Sequence, residues 1–180
     1  YTIPVVFHIL HNYGPENIPD ANVHDAMRVM NEDFRKLNAD ISGVVAPFQG
    51  ITGDAEIEFE LAKLDPSGNC TNGIDRVVTS KTYKAGDGSK VNIWPRGQYL
   101  NIWTVNNIAS GAAGYTYRPG SVSSTPTIDV IIIVYDYVGA LAPSSIGTSR
   151  ALGHEVGHWF NLQHVWGGTN QPGVACGDDG

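Results

Sequence analysis

The chain predicts an α/β fold (α+β mixed) in which a mixed sheet is covered by two main helices. Three observations carry that expectation. Strand-like runs of β-branched and aromatic residues recur along the chain. Two stretches, one early and one late, instead place apolar residues at helical spacing. The order is strand, helix, several strands, helix, and no linker interrupts it, which fits one domain over residues 1–180.

Ile3 to Leu10 (IPVVFHIL) is apolar and β-branched and reads as the first strand. Asp20 or Asn22 can cap a helix running to about Leu37, with Val23, Ala26, Met27, Met30, Phe34 and Leu37 facing the core. Residues 38–54, containing Pro47, Gly50 and Gly53, read as a loop. Ile57 to Leu64 (IEFELAKL) alternates apolar and polar residues, the mark of a half-buried strand. Pro66-Ser67-Gly68-Asn69 is a turn, and the turn-rich stretch 65–98 holds a short strand near Arg76–Thr79. Tyr99 to Val105 (YLNIWTV) is a strand, and Ala113 to Arg118 (AGYTYR) is another, close to Gly111, Gly114 and Gly120. Asp129 to Tyr135 (DVIIIVY) is continuously apolar after its first residue, as in a strand buried on both faces. Thr148 or Ser149 then caps the last helix, to which Leu152, Val156, Trp159 and Phe160 give apolar contacts.

Composition narrows the function classes. At 180 residues and 42% hydrophobic content the chain can bury a sizeable core. Its net charge of −7 and lack of a basic cluster argue against a nucleic-acid partner. Ile128 to Tyr135, the longest apolar run, contains Asp129 and is too short to span a membrane. Few charged residues (16%) with many Gly (21) and Pro (10) suit a secreted protein. Cys70 and Cys176 can pair with each other in an oxidising compartment, or with a residue outside this chain. Asn69-Cys70-Thr71 matches a glycosylation acceptor.

The chemistry concentrates in residues 154–164, HEVGHWFNLQH. On a helix, His154 and His158 lie one turn apart on the same face and can point two imidazoles at one ion. Glu155 is rotated aside, within reach of a water but not of the metal. His164 can be a third ligand only if the helix stops and the chain turns back; Asn161 tolerates the left-handed conformation that does this. Three protein ligands and an open fourth position describe catalytic zinc. Zn²⁺ lowers the pKa of its water and polarises a carbonyl, and Glu155 serves as general base. The expected function is a zinc-dependent endopeptidase acting on protein or peptide as a monomer. The alternatives are a zinc-stabilised peptide-binding module without catalysis, in which Cys176 supplies a fourth ligand, and a zinc hydrolase acting on small amides.

With that motif in hand, the chain resembles the pappalysin family of metzincin metallopeptidases. The resemblance rests on HEVGHWFNLQH with Val165-Trp166-Gly167-Gly168, on YLNIWTV, on GYTYRP, and on Thr71-Asn72-Gly73-Ile74-Asp75-Arg76. It implies a twisted sheet of about five strands with an antiparallel edge strand and an active-site helix beneath. It also implies secretion, removal of an N-terminal prosegment, and bound Ca²⁺. By the same resemblance, zinc ligation falls on His154, His158 and His164, and the base on Glu155. The family carries Gly where this chain has Asn161, and both residues can turn the chain. The family also carries a methionine-containing turn beyond the third histidine. Here the only methionines are Met27 and Met30, so most of the C-terminal subdomain is expected to be absent.

A peptidase must hold its substrate extended, and strand addition to a sheet edge is the common route. The resemblance places that edge at Gly114, Tyr115, Thr116 and Tyr117; an ordinary edge hairpin is the competing reading. His8, His11 and His24 stand outside any metal spacing and read as packed or solvent-facing. Asp178, Asp179 and Asp87 are candidate calcium ligands or solvated turn carboxylates. Trp159 reads as core packing rather than substrate contact.

Overall fold

The computed structural model describes residues 1–121 and 130–164. Its centre is β1 (Thr2–His11), whose seven C-terminal residues are all buried. The lower half of β1 pairs in parallel with β2 (Glu58–Leu61), and the upper half of the same edge pairs with β3 (Ile74–Val78). Its other edge pairs with β4 (Leu100–Val105), which in turn pairs with β6 (Ile131–Val134). The only antiparallel strand in this sheet is β5 (Gly114–Thr116), which closes the path β2-β1-β4-β6-β5. A mixed sheet with an antiparallel edge is therefore present, with β3 as a sixth strand beyond the five expected.

Alternation along the strands divides the interior in two. On one face Val5, Phe7, Ile9, Ile102, Ile131 and Ile133 pack against α1 (Asp20–Phe34) and α3 (Ala151–Trp159). On the other, Leu10, Trp103, Val105 and Ile132 meet Ala85 and Ile108 from connecting segments. Both helices thus lie on the same side. Leu152 and Val156 bury α3 there, and Trp159 and Phe160 pack against that core as expected.

Several local expectations are corrected. The first helix stops at Phe34, and Leu37 is 71% exposed rather than in the core. Lys36 takes a left-handed φ of 56°, and the Lys36 and Leu37 amides donate back to the Asp33 and Glu32 carbonyls, which ends the helix. Neither Asp20 nor Asn22 caps this helix: Pro19 occupies the cap, and Asn22 is spent on the Leu141 and Ala142 carbonyls. Arg150 sits at the cap of α3, because the Thr148 and Ser149 hydroxyls close the preceding turn on Ser145 and Ile146. The 38–54 loop holds a 3₁₀ turn over Ala39–Gly43 and the one-turn α2 (Ala46–Gln49). The strand predicted from Ile57 to Leu64 shortens to β2, leaving Leu64 exposed. Cys70 is exposed. Cys176, Asp178, Asp179, Asp129 and Val165 to Gly168 lie outside the described residues.

Gly73 shows how two strands share one edge of β1. Its φ is +72°, and a Cβ there would lie 2.8 Å from the Ala62 backbone nitrogen, where β2 leaves and β3 enters. Gly73→Ala should lower stability by about 1–3 kcal/mol, read from urea unfolding, through combined backbone strain and overpacking.

Candidate active site

Helix α3 carries His154, Glu155 and His158 on adjoining faces. It ends at Trp159, and Asn161 follows with φ 71°. The Asn161 amide donates to the His158 carbonyl (2.8 Å) and the Leu162 amide to the Gly157 carbonyl (3.0 Å). This pair of reversed bonds turns the chain sharply, and Asn accepts the left-handed geometry that most residues resist. The turn returns His164 to the helix.

The three imidazoles converge. Nε2 of His158 lies 3.1 Å from Nε2 of His154 and 3.0 Å from that of His164, and the remaining pair is 3.2 Å apart. A point about 2.0–2.1 Å from all three, the zinc–imidazole distance, lies about 1 Å off their plane, as a tripod with one open apex requires. Nδ1 of His158 faces the Leu162 carbonyl at 2.9 Å. A ring that donates there presents its Nε2 lone pair to the centre. Burial, followed by the neighbouring histidines, holds His154 below the usual histidine range. For His164, burial, His158 and Arg118 act in the same direction. Both effects favour the neutral rings that a metal needs. These three form the only cluster of potential metal ligands among the described residues, and the donor set suits zinc.

Glu155 is 8% exposed. Burial lifts its carboxyl above the ordinary range, against opposing pulls from His158 and from the nearby Thr116 hydroxyl. Its Oε2 makes no well-formed hydrogen bond among the described residues, and neither does the buried Thr116 Oγ1 that lies near the carboxyl. Beside it runs β5. A Cβ on Gly114 would lie 3.1 Å from both Glu155 Cγ and the Ile132 carbonyl oxygen, so any larger residue makes Glu155 or the strand give by a few tenths of an ångström. Gly114, Tyr115, Thr116, Glu155 and the three histidines line one cleft of ≈ 1000 Å³ with Tyr137, Thr148 and Arg150.

The register of β5 decides what its outer edge offers. Ala113 accepts from the Val134 amide, so pairs alternate along the ladder: Tyr115 is bonded to Ile132, while the Gly114 and Thr116 main-chain groups face away from β6. The side chains of Tyr115 and Tyr117 belong elsewhere. Both phenols donate to Asp87, at 2.9 and 3.1 Å. The Asp87 carboxylate is thus engaged by these phenols and by the Lys90 ammonium at 2.8 Å, rather than solvated in its turn. Burial works against the charge on Asp87, but Lys90 and the two phenols hold it below the usual carboxylate range.

The other histidines lie apart from the cleft. His8 is buried, stacks on Trp103 with ring centroids 4.3 Å apart, and contacts Asp75 and Asn101; His11 is buried and His24 exposed. Arg150 was not anticipated. It ties α3 to Asp40 at 2.8 Å and to Asp33 of α1 at 3.3 Å, partners more than a hundred residues away that no local pattern announces.

Residues 85–180 match the family described as pregnancy-associated plasma protein-A, Peptidase_M43. The chain belongs to that family. An extracellular metalloprotease of Pyricularia oryzae is 30% identical over 166 residues, covering 89% of this chain and 49% of that protein. One from Colletotrichum graminicola is 27% identical over 186 residues, covering 98% and 56%. This M43 chain thus spans about half the length of these relatives. The solved structure of mature mirolysin from Tannerella forsythia, in complex with a cleaved peptide, superposes with a TM-score of 0.88 at 37% identity, covering 99% of this chain and 68% of that one. A second mirolysin structure, in complex with a small compound, gives 0.82 at 38% identity, covering 93% and 65%. These likenesses bear out the pappalysin-type metzincin fold anticipated from the motifs.

The bend at Asn161 generates an expectation for metal binding. Asn161→Gly should leave zinc affinity unchanged, whereas Asn161→Val should weaken it about tenfold in calorimetric titration, because a β-branched residue resists positive φ.

Proposed function

We propose that this chain forms most of the catalytic domain of a secreted zinc endopeptidase, in which His154, His158 and His164 hold the metal and Glu155 is the general base. The observation that carries the reading is the placement of Glu155. A buried carboxylate oxygen left without a partner costs stability, and such a group is expected where chemistry rather than folding sets its position. It also opens onto the cleft that the three imidazoles share. A structural zinc site has no use for this carboxylate. The extracellular metalloproteases among its relatives support secretion, and all the groups named come from one chain, so a monomer suffices.

When bound, zinc supplies Lewis acidity, which acidifies water and polarises a carbonyl. Glu155 takes the proton of the attacking water and returns it to the leaving amine. The substrate lies extended along β5, where the outward main-chain groups of Gly114 and Thr116 pair with a peptide backbone and the segment through Tyr115 and Tyr117 sets its direction. The cleaved peptide held by mirolysin supports a peptide ligand for the corresponding cleft here.

Glu155→Gln should retain one zinc per chain by metal analysis and lose casein hydrolysis by at least about 10²-fold. Full hydrolysis by that variant would remove Glu155 from the reaction. Gly114→Ala should also keep its zinc, yet lose about tenfold or more in kcat, because the new methyl group displaces Glu155.

A further inference from the structure

The edge strand β5 is three residues long and has a single neighbour in the described sheet. So short a ladder is weak support for a strand that must hold a fixed position. Its two faces are engaged differently. Gly114 and Thr116 lie towards α3 and Glu155. On the opposite face, Tyr115 and Tyr117 reach separate oxygens of one carboxylate, Asp87 Oδ1 and Oδ2. The ammonium of Lys90, whose side chain is 1% exposed, contacts Asp87 and stands 5.2 and 5.1 Å from the centroids of the two tyrosine rings. A buried cation over two aromatic faces, paired with a carboxylate that both phenols hold, is a rigid arrangement.

The turn bearing it is itself anchored. Asp87–Ser89 forms a 3₁₀ turn in which Ser89 Oγ accepts from the Gly86 amide. Immediately before it, Ala85 is bonded on both sides, its amide to the Asn107 carbonyl and its carbonyl to the Ala109 amide. The turn therefore belongs to the fixed body of the fold, and the two tyrosines connect β5 to it.

We infer that Asp87 and Lys90 are positioning residues for substrate: acting through Tyr115 and Tyr117, they clamp β5 from behind and set the edge on which a peptide is laid. The inference rests on the proteolytic reading for its consequence but not for its geometry. A clamp on the docking edge acts on peptide binding, while the metal and Glu155 belong to another element. The change should therefore appear in KM rather than kcat.

The test is the double variant Tyr115→Phe/Tyr117→Phe in the zinc-loaded protein, which keeps both rings and removes both bonds to Asp87. KM for a peptide substrate should rise about tenfold with kcat altered less than about threefold, and zinc content should be unchanged. Amide exchange at Tyr115, which the ladder to Ile132 protects, should accelerate. Asp87→Asn, which removes the charge that faces Lys90 and the two phenols, should move KM and exchange in the same direction. Unchanged KM together with unchanged exchange in both variants overturns the clamp. If the unaltered protein cleaves no peptide, the proteolytic reading falls separately, and the exchange measurement still decides whether Asp87 and Lys90 hold β5.

Discussion

The site depends on a single reversal of the chain. An α-helix aligns two imidazoles at a spacing of four residues, but it cannot supply a third to the same point, because the next residue on that face is carried further along the axis. The third must come from beyond the helix end, which requires a stop and a turn within a few residues. Asn161 meets that demand with a left-handed φ of 71° and two reversed hydrogen bonds. The convergence of His154, His158 and His164, and with it the meaning of the buried Glu155, follows from that bend.

The sheet sets what stands opposite the bend. Both helices pack on one face, so α3 runs beneath β6 and β5, and strand alternation turns Gly114 and Thr116 towards Glu155 while Tyr115 turns away. Antiparallel pairing of β5 with β6 then fixes which main-chain groups face outward. Arg150 ties the start of α3 to Asp33 and Asp40, so the helix that carries His154 and His158 is held at one end by charge and along its length by Leu152 and Val156.

What could be read from the sequence was whatever local spacing determines. The strands around Phe7, Ile102 and Ile132, the core positions of the first helix from Val23 to Met30, the imidazole spacing and the turning role of Asn161 were all legible, because each depends on residues within a turn or two. Expectations failed where a competing contact, near or distant, decided the outcome. Thr148 and Ser149 are good capping residues, but they were already engaged in closing their own turn. Leu37 continued the helical spacing, yet Lys36 reversed the chain before it. Asp87 was open to two readings, a solvated turn carboxylate or a calcium ligand, and its actual partners Tyr115 and Tyr117 lie too far along the chain for spacing to show them. Lys90 lies three residues from Asp87, whereas the two aromatic rings beside it come from β5 and the residue after it.

The position of β1 bears on how the chain reaches this state. It is made before every strand it pairs with, and its registered partners begin at Glu58 and extend to Thr104. Until those residues are synthesised, a ten-residue apolar strand has neither of its lateral neighbours. Pairings of such long sequence separation form slowly, and an unpaired strand edge is prone to intermolecular association in the meantime. Among the described strands, the one that organises the sheet is thus left waiting longest for its neighbours during biosynthesis.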